Sequence, residues 1–297
     1  MSIPHDASTQ PGYDDATVDA LLDAILKGAP SVRVAPLVGL SGLQGSGKST
    51  LARQIAAAAR TRGIRIEILA LDDFYLGRRA RAALARTVHP LLATRVVPGT
   101  HDLALLERTL RALRAATPRR PARIPRFDKG RDTRLPPSRW TRITRAPQWI
   151  LLEGWCVGVP PQRTRELARP VNALERWEDA NGVWRAYVNQ QLAGGYARLW
   201  RQLDMLVVLA APNFSIVERW RGEAERALRR RDATRAMSAV ALRRFLMHYE
   251  RLSRHALRAL PPIADVVVTL DEARRVRRIR IARTPAQRAG STTTAVP

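Results

Sequence analysis

A glycine-rich stretch near residue 45 carries the residue types that bind phosphate. Residues 42–49 read Gly-Leu-Gln-Gly-Ser-Gly-Lys-Ser, which is the G-x-x-x-x-G-K-[ST] spacing of a phosphate-binding loop. The glycines let the backbone curl so that its N–H groups point at an anion. Lys48 can reach the β- and γ-phosphates of a nucleotide, and the Ser49 hydroxyl can ligate Mg²⁺. The candidate nucleotide-binding residues are Gly42, Gln44, Gly45, Ser46, Gly47, Lys48, Ser49 and Thr50.

Two aspartates follow the next apolar run. Residues 64–71 predict a strand, and Asp72 and Asp73 come directly after it. Ligands of open α/β sheets bind beyond the carboxyl ends of the strands, so we expect both carboxylates on the side of the phosphate-binding loop. A helix cap is the common alternative role. Because the next predicted helix, 78–86, begins several residues later, we favour a catalytic role for one of the two.

A third acidic residue, Glu153, closes the apolar run 149–152. An acidic residue at the end of such a strand, in a chain with a phosphate-binding loop, has the layout of a Walker B element. We therefore predict that Glu153 and Ser49 hold Mg²⁺, directly or through water.

The rest of the chain must position these side chains. Helical spacing of apolar residues predicts helices, among them one that directly follows the glycine-rich stretch at 48–62. Strand, glycine-rich turn and helix are the context that the motif requires. We predict an α/β protein with a three-layer P-loop NTPase fold, a mainly parallel five-stranded sheet and helical and loop inserts. The predicted strands are 36–40, 64–71, 149–152, 204–210 and 264–270.

No internal repeat or separable linker divides the chain, so we predict a single domain over 14–282 with flexible ends at 1–13 and 283–297. Residues 117–147 are rich in proline and arginine and lack periodicity. A segment of this length is usually functional or disordered. Because it runs into a core strand, we expect a structured insert on the substrate side.

Composition excludes several classes of protein. The 51 basic residues outnumber the 26 acidic ones, and only three of the basic residues are lysines. The arginines are spread through every predicted element, so we interpret most of the charge as solvated faces and expect nucleic acid to be an unlikely partner. The single cysteine, Cys156, excludes a disulfide framework and fits a reducing compartment. No signal peptide or membrane-spanning run is recognisable, so we expect a cytoplasmic location with no membrane partner.

Together the motifs resemble the P-loop kinases that include uridine kinase, phosphoribulokinase and pantothenate kinase, and among these the D-glycerate 3-kinase branch. The resemblance covers roughly residues 36–270. Two stretches narrow it to that branch: Pro-Gly-Thr-His-Asp at 98–102 and Pro-Arg-Phe-Asp-Lys at 125–129. The broader group shares the loop at 44–49, Leu-Asp-Asp-Phe-Tyr at 71–75 and Glu-Gly-Trp at 153–155. The resemblance also rests on Trp220-Arg221 together with Glu225.

The resemblance implies an ATP- and Mg²⁺-dependent kinase that phosphorylates D-glycerate to 3-phosphoglycerate, with a small anionic hydroxy acid as its substrate. By matching position, it implies that Asp72 accepts the proton of the acceptor hydroxyl and that Arg221 lies on a lid helix over the phosphates. Lys48 and Arg221 would stabilise the developing charge. The residues expected to contact the acceptor are Asp73, Tyr75, His101, Arg126 and Lys129. Among them, Arg126 and Lys129 are the candidates to hold its carboxylate.

Three alternatives remain open. The acceptor could be another alcohol, such as uridine, pantothenate or a sugar phosphate. The net charge could indicate an ATP-driven nucleic-acid-binding protein, although no basic patch interleaved with aromatic residues is present. A regulator that has lost catalysis is disfavoured by the joint presence of Lys48, Ser49, Asp72 and Glu153. The oligomeric state is not predicted.

Overall fold

The inner strands of the central sheet are buried on both faces. A computed structural model describes residues 12–29, 34–231 and 237–282. In these ranges the strands are β1 (Leu37–Gly42), β2 (Ile66–Ala70), β3 (Ala122–Ile124), β4 (Phe127–Asp128), β5 (Thr133–Arg134), β6 (Thr141–Ile143), β7 (Trp149–Gly154), β8 (Met205–Ala210), β9 (Val266–Leu270) and β10 (Val276–Ile281). All six residues of β1 are buried. Because successive side chains of a strand point to opposite faces, both faces of the sheet are covered.

The main sheet has the order β10-β9-β8-β1-β7-β2. Neighbouring strands from β9 to β2 are parallel, and they are the five strands that the apolar runs predict. Within the register, Glu153 on β7 lies level with Leu40 on β1 and Ala70 on β2. The carboxyl ends of β1, β7 and β2 therefore meet at one edge of the sheet. The predicted α/β fold with a mainly parallel sheet is confirmed.

The sixth strand, β10, is absent from the sequence prediction. It pairs antiparallel with β9 at the edge of the sheet, after a turn in which Arg274 has a positive φ of 64°. Its sequence, Val-Arg-Arg-Ile-Arg-Ile, lacks the apolar character of the other strands. An edge strand has a neighbour on one side only and tolerates charged side chains, so its sequence need not be hydrophobic.

Helices cover the sheet. α2 packs against β2, β7 and β1, and α1 packs against α2, while α9 packs against β8. The predicted apolar stripe of α2 is buried at Leu51, Ile55 and Ala59. The helices of the described ranges are α1 (Asp15–Gly28), α2 (Lys48–Thr61), α3 (Arg78–Thr87), α4 (Leu103–Arg114), α5 (Ala173–Glu178), α6 (Val183–Gln191), α7 (Ala197–Trp200), α8 (Ile216–Arg231) and α9 (Ala239–Ile263). A π-helical turn, Leu192–Tyr196, joins α6 to α7.

The insert at 117–147 is made of two nested antiparallel strand pairs. β3 pairs with β6, and inside them β4 pairs with β5. No strand was predicted here, because strands of two or three residues are too short to show a period of two. Lys129, in the turn of the inner pair, reaches Asp72, and Phe127, at the start of β4, reaches Asp73.

The predicted flexible ends at 1–13 and 283–297 lie outside the described residues, apart from Gly12 and Tyr13. The main-chain N–H of Tyr13 donates to Gln54 Oε1 at 3.0 Å, and Gln54 Nε2 donates to the carbonyl of Tyr13 at 2.7 Å. Tyr13, at the end of the segment predicted to be flexible, is thus bound to α2 by two hydrogen bonds. Among the described helices, none combines the length and apolar character needed to cross a bilayer.

Candidate active site

The loop between β1 and α2 has the shape of an anion cradle. Gly45 and Gly47 adopt positive φ values of 79° and 90°, a backbone conformation that residues other than glycine rarely adopt. A Cβ on Gly45 would lie 2.7 Å from the Cβ of Trp220, so α8 packs directly against the loop. Gly47 caps α2, and Lys48, Ser49 and Thr50 form its first turn. The positive end of the helix dipole therefore faces the cradle.

Polar atoms of this loop are buried without partners. In the ranges that the structure describes, neither the amide oxygen nor the amide nitrogen of Gln44 has a hydrogen-bond partner, and the same holds for Ser46 Oγ. Lys48 is 9% exposed, and its Nζ donates to the carbonyl of Leu43 at 3.0 Å. Burial lowers the pKa of Lys48, while the charges of Glu153 and Asp72 act in the opposite direction. Unpaired buried groups around a buried cation fit a site for a phosphorylated ligand.

Ser49, in the first turn of α2, lies next to Glu153, which is near the carboxyl end of β7. Ser49 Oγ donates to Glu153 Oε1 at 2.7 Å. Burial raises the pKa of Glu153, and the charge of Lys48 opposes that shift. A hydroxyl and a carboxylate are ligands that Mg²⁺ accepts when nucleotide phosphates and water complete its shell. The described residues contain no group of three or more His, Cys, Asp or Glu side chains arranged to hold a metal ion.

Asp72 lies in the turn after β2 and is paired with the insert. Lys129 Nζ donates to Asp72 Oδ2 at 2.8 Å, and the two side chains are 59% and 33% exposed respectively. Burial favours the neutral form of Asp72, but the charge and hydrogen bond of Lys129 outweigh it and lower the pKa of Asp72 to about 2. The charges of Asp72 and Lys48 also act on one another. The structure thus brings the phosphate-loop lysine, the aspartate and Lys129 to one place.

Asp73 has a different environment from its neighbour. It is 3% exposed and accepts hydrogen bonds from Arg126 Nη1 and from the main-chain N–H of Phe127, both at 2.9 Å. Arg126 Nε also donates to Thr141 Oγ1 at 3.0 Å. Asp73 and Arg126 therefore hold the insert on the turn after β2.

Tyr75 and His101 form a buried stack beside these aspartates. Their ring centroids lie 4.3 Å apart, and the side chains are 2% and 5% exposed. The hydroxyl of Tyr75 donates to the carbonyl of Val96 at 3.4 Å. His101 Nδ1 lies 2.6 Å from the hydroxyl of Tyr196, whereas its Nε2 is buried and has no partner in the described chain. Burial lowers the pKa of His101 to about 4, against the charge of Asp72.

Arg221 lies on α8 and faces the same region. Its Nη2 donates to Glu225 Oε1 at 2.8 Å, and its side chain is 30% exposed. The charge of Asp72 raises the pKa of Lys129, and the positive charge of Arg221 opposes that shift. Glu225 Oε2 in turn accepts from the main-chain N–H of Met237 at 3.1 Å.

Three further residues border the site without having been predicted. The hydroxyl of Tyr13 donates to the carbonyl of Ser46 at 2.7 Å, and Arg274 Nε donates to the carbonyl of Gly45 at 2.7 Å. Tyr196 contacts His101 as described above. No motif contains these residues, because each reaches the site from a distant part of the chain, and only α/β packing brings them together.

Comparisons with known proteins agree with this geometry. No family model matches the chain. The chain is 32% identical over 247 residues to an uncharacterized kinase of Schizosaccharomyces pombe, mug58, with 79% of this chain and 87% of the relative covered. It is also 32% identical over 225 residues to the chloroplastic D-glycerate 3-kinase of Arabidopsis thaliana. That match covers 73% of this chain and 46% of the relative, so the chain spans about half of the plant protein's length.

Among solved structures, D-glycerate 3-kinase from Cryptococcus neoformans var. grubii superposes with a TM-score of 0.74, covering 91% of this chain and 100% of that one at 22% identity. At 22% identity, this superposition shows that the two proteins share a fold. The fold and the nucleotide-binding loop together are those of a P-loop kinase, which is an enzyme that transfers phosphate from a nucleotide to an alcohol. Within that class, the chain belongs to the D-glycerate 3-kinase-like family.

Proposed function

We propose that this chain transfers the γ-phosphate of ATP to the 3-hydroxyl of D-glycerate and so forms 3-phosphoglycerate. The observation that carries the proposal is the ion pair of Asp72 and Lys129 at 2.8 Å, within electrostatic reach of the phosphate-loop lysine, Lys48. A carboxylate that can take a proton from an alcohol is thus combined with a cation that can bind a carboxylate. The names of the plant and fungal relatives support glycerate as the acceptor.

The nucleotide would occupy the loop at 42–50. The residues fit this ligand, because the glycines leave room for it and the buried polar atoms of Gln44 and Ser46 need partners. When bound, ATP with Mg²⁺ supplies the phosphoryl group and a metal charge that neutralises the phosphates. Lys48 would contact the phosphates, and Ser49 and Glu153 would hold the ion. These assignments rest on the motif and on the contacts between the side chains.

Asp72 would accept the proton of the acceptor hydroxyl. Because the pKa of Asp72 is about 2, the carboxylate is ionised at neutral pH and is ready to accept. So low a pKa makes it a weak base, and a base close to the operating pH is more effective. If the acceptor carboxylate draws Lys129 away from Asp72, the pKa of Asp72 rises, and the base becomes stronger only once substrate is bound.

Lys129 is the better placed of the two candidates for the acceptor carboxylate. It is more than half exposed, and its ion-pair partner is Asp72 alone in the described chain. Arg126 already bonds to Asp73 and Thr141, so its primary role would be to position the insert. Arg221, on α8, would stabilise charge on the transferred phosphoryl group. Tyr75 and His101 would line the acceptor site, with His101 offering its unpaired Nε2.

The experiment is an ADP-release assay with D-glycerate, L-glycerate, uridine, pantothenate and ribulose 5-phosphate as acceptors. We expect turnover with D-glycerate, and a ³¹P spectrum of the product that identifies 3-phosphoglycerate. Lys48→Ala is the control, because losing the phosphate-contacting ammonium should abolish turnover with little loss of fold. Efficient turnover of a different alcohol with none of glycerate would overturn the proposal.

A further inference from the structure

The turn that joins α6 to α7 places one phenol against the acceptor site. It is π-helical over Leu192–Tyr196, a rare conformation that often occurs at functional sites. Tyr196 is fully buried. Its oxygen lies 3.1 Å from the main-chain nitrogen of Gly99 and 2.6 Å from Nδ1 of His101.

Counting protons decides which atom donates in each contact. The N–H of Gly99 can only donate, so the phenol oxygen of Tyr196 accepts from it. The phenol has one proton of its own, and Nδ1 of His101 is the acceptor within reach of it in the described chain. Burial raises the pKa of Tyr196, which keeps that proton in place. Nδ1 of His101 is therefore an acceptor, and a neutral imidazole that accepts at Nδ1 carries its proton on Nε2.

The N–H that results is buried and has no acceptor in the described part of the chain. An N–H in this condition is costly to leave unpaired, and such groups usually have a ligand or a water as partner. The ring of His101 is held against Tyr75, and the negative charge of Asp72 opposes the fall in the pKa of His101. The unpaired donor therefore belongs to a ring within electrostatic reach of the proposed base.

We propose that Tyr196 is a positioning residue: by donating its phenolic proton to Nδ1, it holds His101 in the Nε2–H tautomer, and this N–H donates to an oxygen of the acceptor next to Asp72. That an acceptor binds there rests on the proposed function. The tautomer itself does not, because it follows from contacts within the chain.

The first test is kinetic and uses Tyr196→Phe, which removes the hydroxyl and keeps the ring. We expect the KM for the acceptor to rise roughly 3- to 10-fold, as for the loss of one hydrogen bond, while the KM for ATP is unchanged. Tyr187→Phe is the matched control. Tyr187 also packs against Gly99, but its hydroxyl makes no hydrogen bond with the described residues, so its removal should change neither KM.

Variants of His101 separate a positioning role from a structural one. The amide nitrogen of Gln can replace Nε2–H, whereas that of Asn lies closer to the position of Nδ1. We therefore expect His101→Asn to raise the acceptor KM more than His101→Gln. In the His101→Gln background, Tyr196→Phe should raise the acceptor KM little further, because the histidine through which Tyr196 acts is gone. If Tyr196→Phe raised the acceptor KM in the His101→Gln background as much as in the wild type, the positioning role would be overturned.

The second test reads the tautomer without turnover. Long-range ¹H–¹⁵N spectra of histidine-labelled protein at neutral pH should show the Nε2–H tautomer for His101, assigned by its loss in His101→Gln. In Tyr196→Phe we expect a mixture of tautomers, and in the wild type we expect D-glycerate to shift the Nε2 proton. A wild-type Nδ1–H tautomer would overturn the inference, as would no response to an acceptor that the enzyme phosphorylates. If no acceptor is turned over, the proposed function fails while the tautomer measurement still stands.

Discussion

Asp72 and Asp73 are neighbours in the chain, but they have different partners. Asp72 is partly exposed and pairs with the flexible ammonium of Lys129, whereas Asp73 is buried and pairs with Arg126 and the N–H of Phe127. A buried carboxylate held by two donors is suited to fixing a loop, while a partly exposed one can exchange its partner for a ligand. The sequence indicates the pair but not this division of roles, because it depends on which residues of the insert approach each carboxylate.

The two carboxylates should respond differently to neutralisation. If Asp72 accepts the hydroxyl proton, Asp72→Asn lowers kcat by on the order of 10²-fold or more, because the amide keeps the shape but cannot take a proton. Steady-state kinetics with D-glycerate measures this, and binding of ADP should be unchanged.

Asp73→Asn is the matched control for that change. It leaves Arg126 without its charged partner and loosens the insert, so we expect a higher acceptor KM and a lower melting temperature, with a much smaller effect on kcat. If Asp72→Asn altered KM alone, Asp72 would be a binding residue and not the base.

At the scale of elements, the phosphate-binding loop is held from outside by two distant segments. Tyr13, which precedes α1, donates to the carbonyl of Ser46, and Arg274, in the β9–β10 turn, donates to the carbonyl of Gly45. Fixing carbonyls on the outside of the loop restrains the orientation of its peptide groups. Arg274 also lies over the ring of Trp220, 5.1 Å from its centroid, which links the loop to α8.

Loss of this restraint should weaken nucleotide binding. We expect Arg274→Met to raise the Kd for ADP about tenfold and Tyr13→Phe to raise it about threefold, since each removes a hydrogen bond that preorganises the loop. Isothermal titration with ADP and Mg²⁺ measures both.

Arg275→Met is the control, because Arg275 is 72% exposed and pairs with Asp271 without contacting the loop. An unchanged Kd in Arg274→Met would show that the loop keeps its conformation without this contact. The acceptor KM should be unaffected in all three variants.

The turn of the inner strand pair, between β4 and β5, positions the side chain of Lys129 by restraining its backbone. Asp132, with a φ of 54°, accepts hydrogen bonds from the buried Arg81 and from Arg95 Nη1, the latter at 2.6 Å. Arg95 Nη2 donates to the carbonyl of Lys129 at 3.0 Å. The turn between β4 and β5 is thus held at Lys129 and at Asp132, and the side chain of Lys129 is presented to Asp72.

At the scale of the whole molecule, buried histidines link stability to pH. His101, His248 and His255 are 5%, 6% and 8% exposed, and burial lowers the pKa of all three. The unfolded chain therefore binds more protons than the folded one once the pH falls below about 6.5. The contribution of the neutral histidines to the free energy of unfolding is fully present above that pH. It is lost as the pH falls, until His101 itself protonates near its folded pKa of about 4.

Acidification should therefore destabilise the fold. From the shift of its pKa from 6.5 to about 4, His101 alone should reduce the free energy of unfolding by on the order of 2 kcal/mol between pH 7.5 and pH 5. Urea unfolding at the two pH values measures the difference. His101→Gln removes a titrating group and should reduce the difference in unfolding free energy between the two pH values. This variant separates the contribution of His101 from those of Glu67 and Glu153, whose pKa values burial raises. An undiminished difference in His101→Gln would contradict the prediction.

The arginine excess has two components. Many arginines are exposed on α2, α3, α4 and the insert, so the charge covers several elements rather than one groove. Others are buried and paired: Arg185 with Asp179 at 3.0 Å, and Arg251 with Glu175 at 2.7 Å. These buried pairs belong to the minority of the charge that does not form solvated faces. That nucleic acid is not a partner stays a prediction.

The nucleotide-binding part of the site could be predicted because its residues are close in sequence. The loop at 42–49 needs only β1 before it and α2 after it, and the long apolar runs that form the five parallel strands are visible without a structure. The edge strand β10 and the short strands of the insert were missed, since charged or two-residue strands carry no periodic signal.

The amino-acid sequence by itself determined the mainly parallel sheet and the side of it on which Lys48, Asp72 and Glu153 come together, because its strands follow from local hydrophobic patterns and ligands of open α/β sheets bind beyond the carboxyl ends of the strands. Only the tertiary structure decided that Asp73 is buried against the insert while Asp72 stays partly exposed, and that Tyr13, Arg274 and Tyr196 contact residues of the site. These contacts join residues far apart in the chain. A hydrogen bond depends on atomic positions of a few tenths of an ångström, which packing of the whole molecule sets and sequence spacing does not.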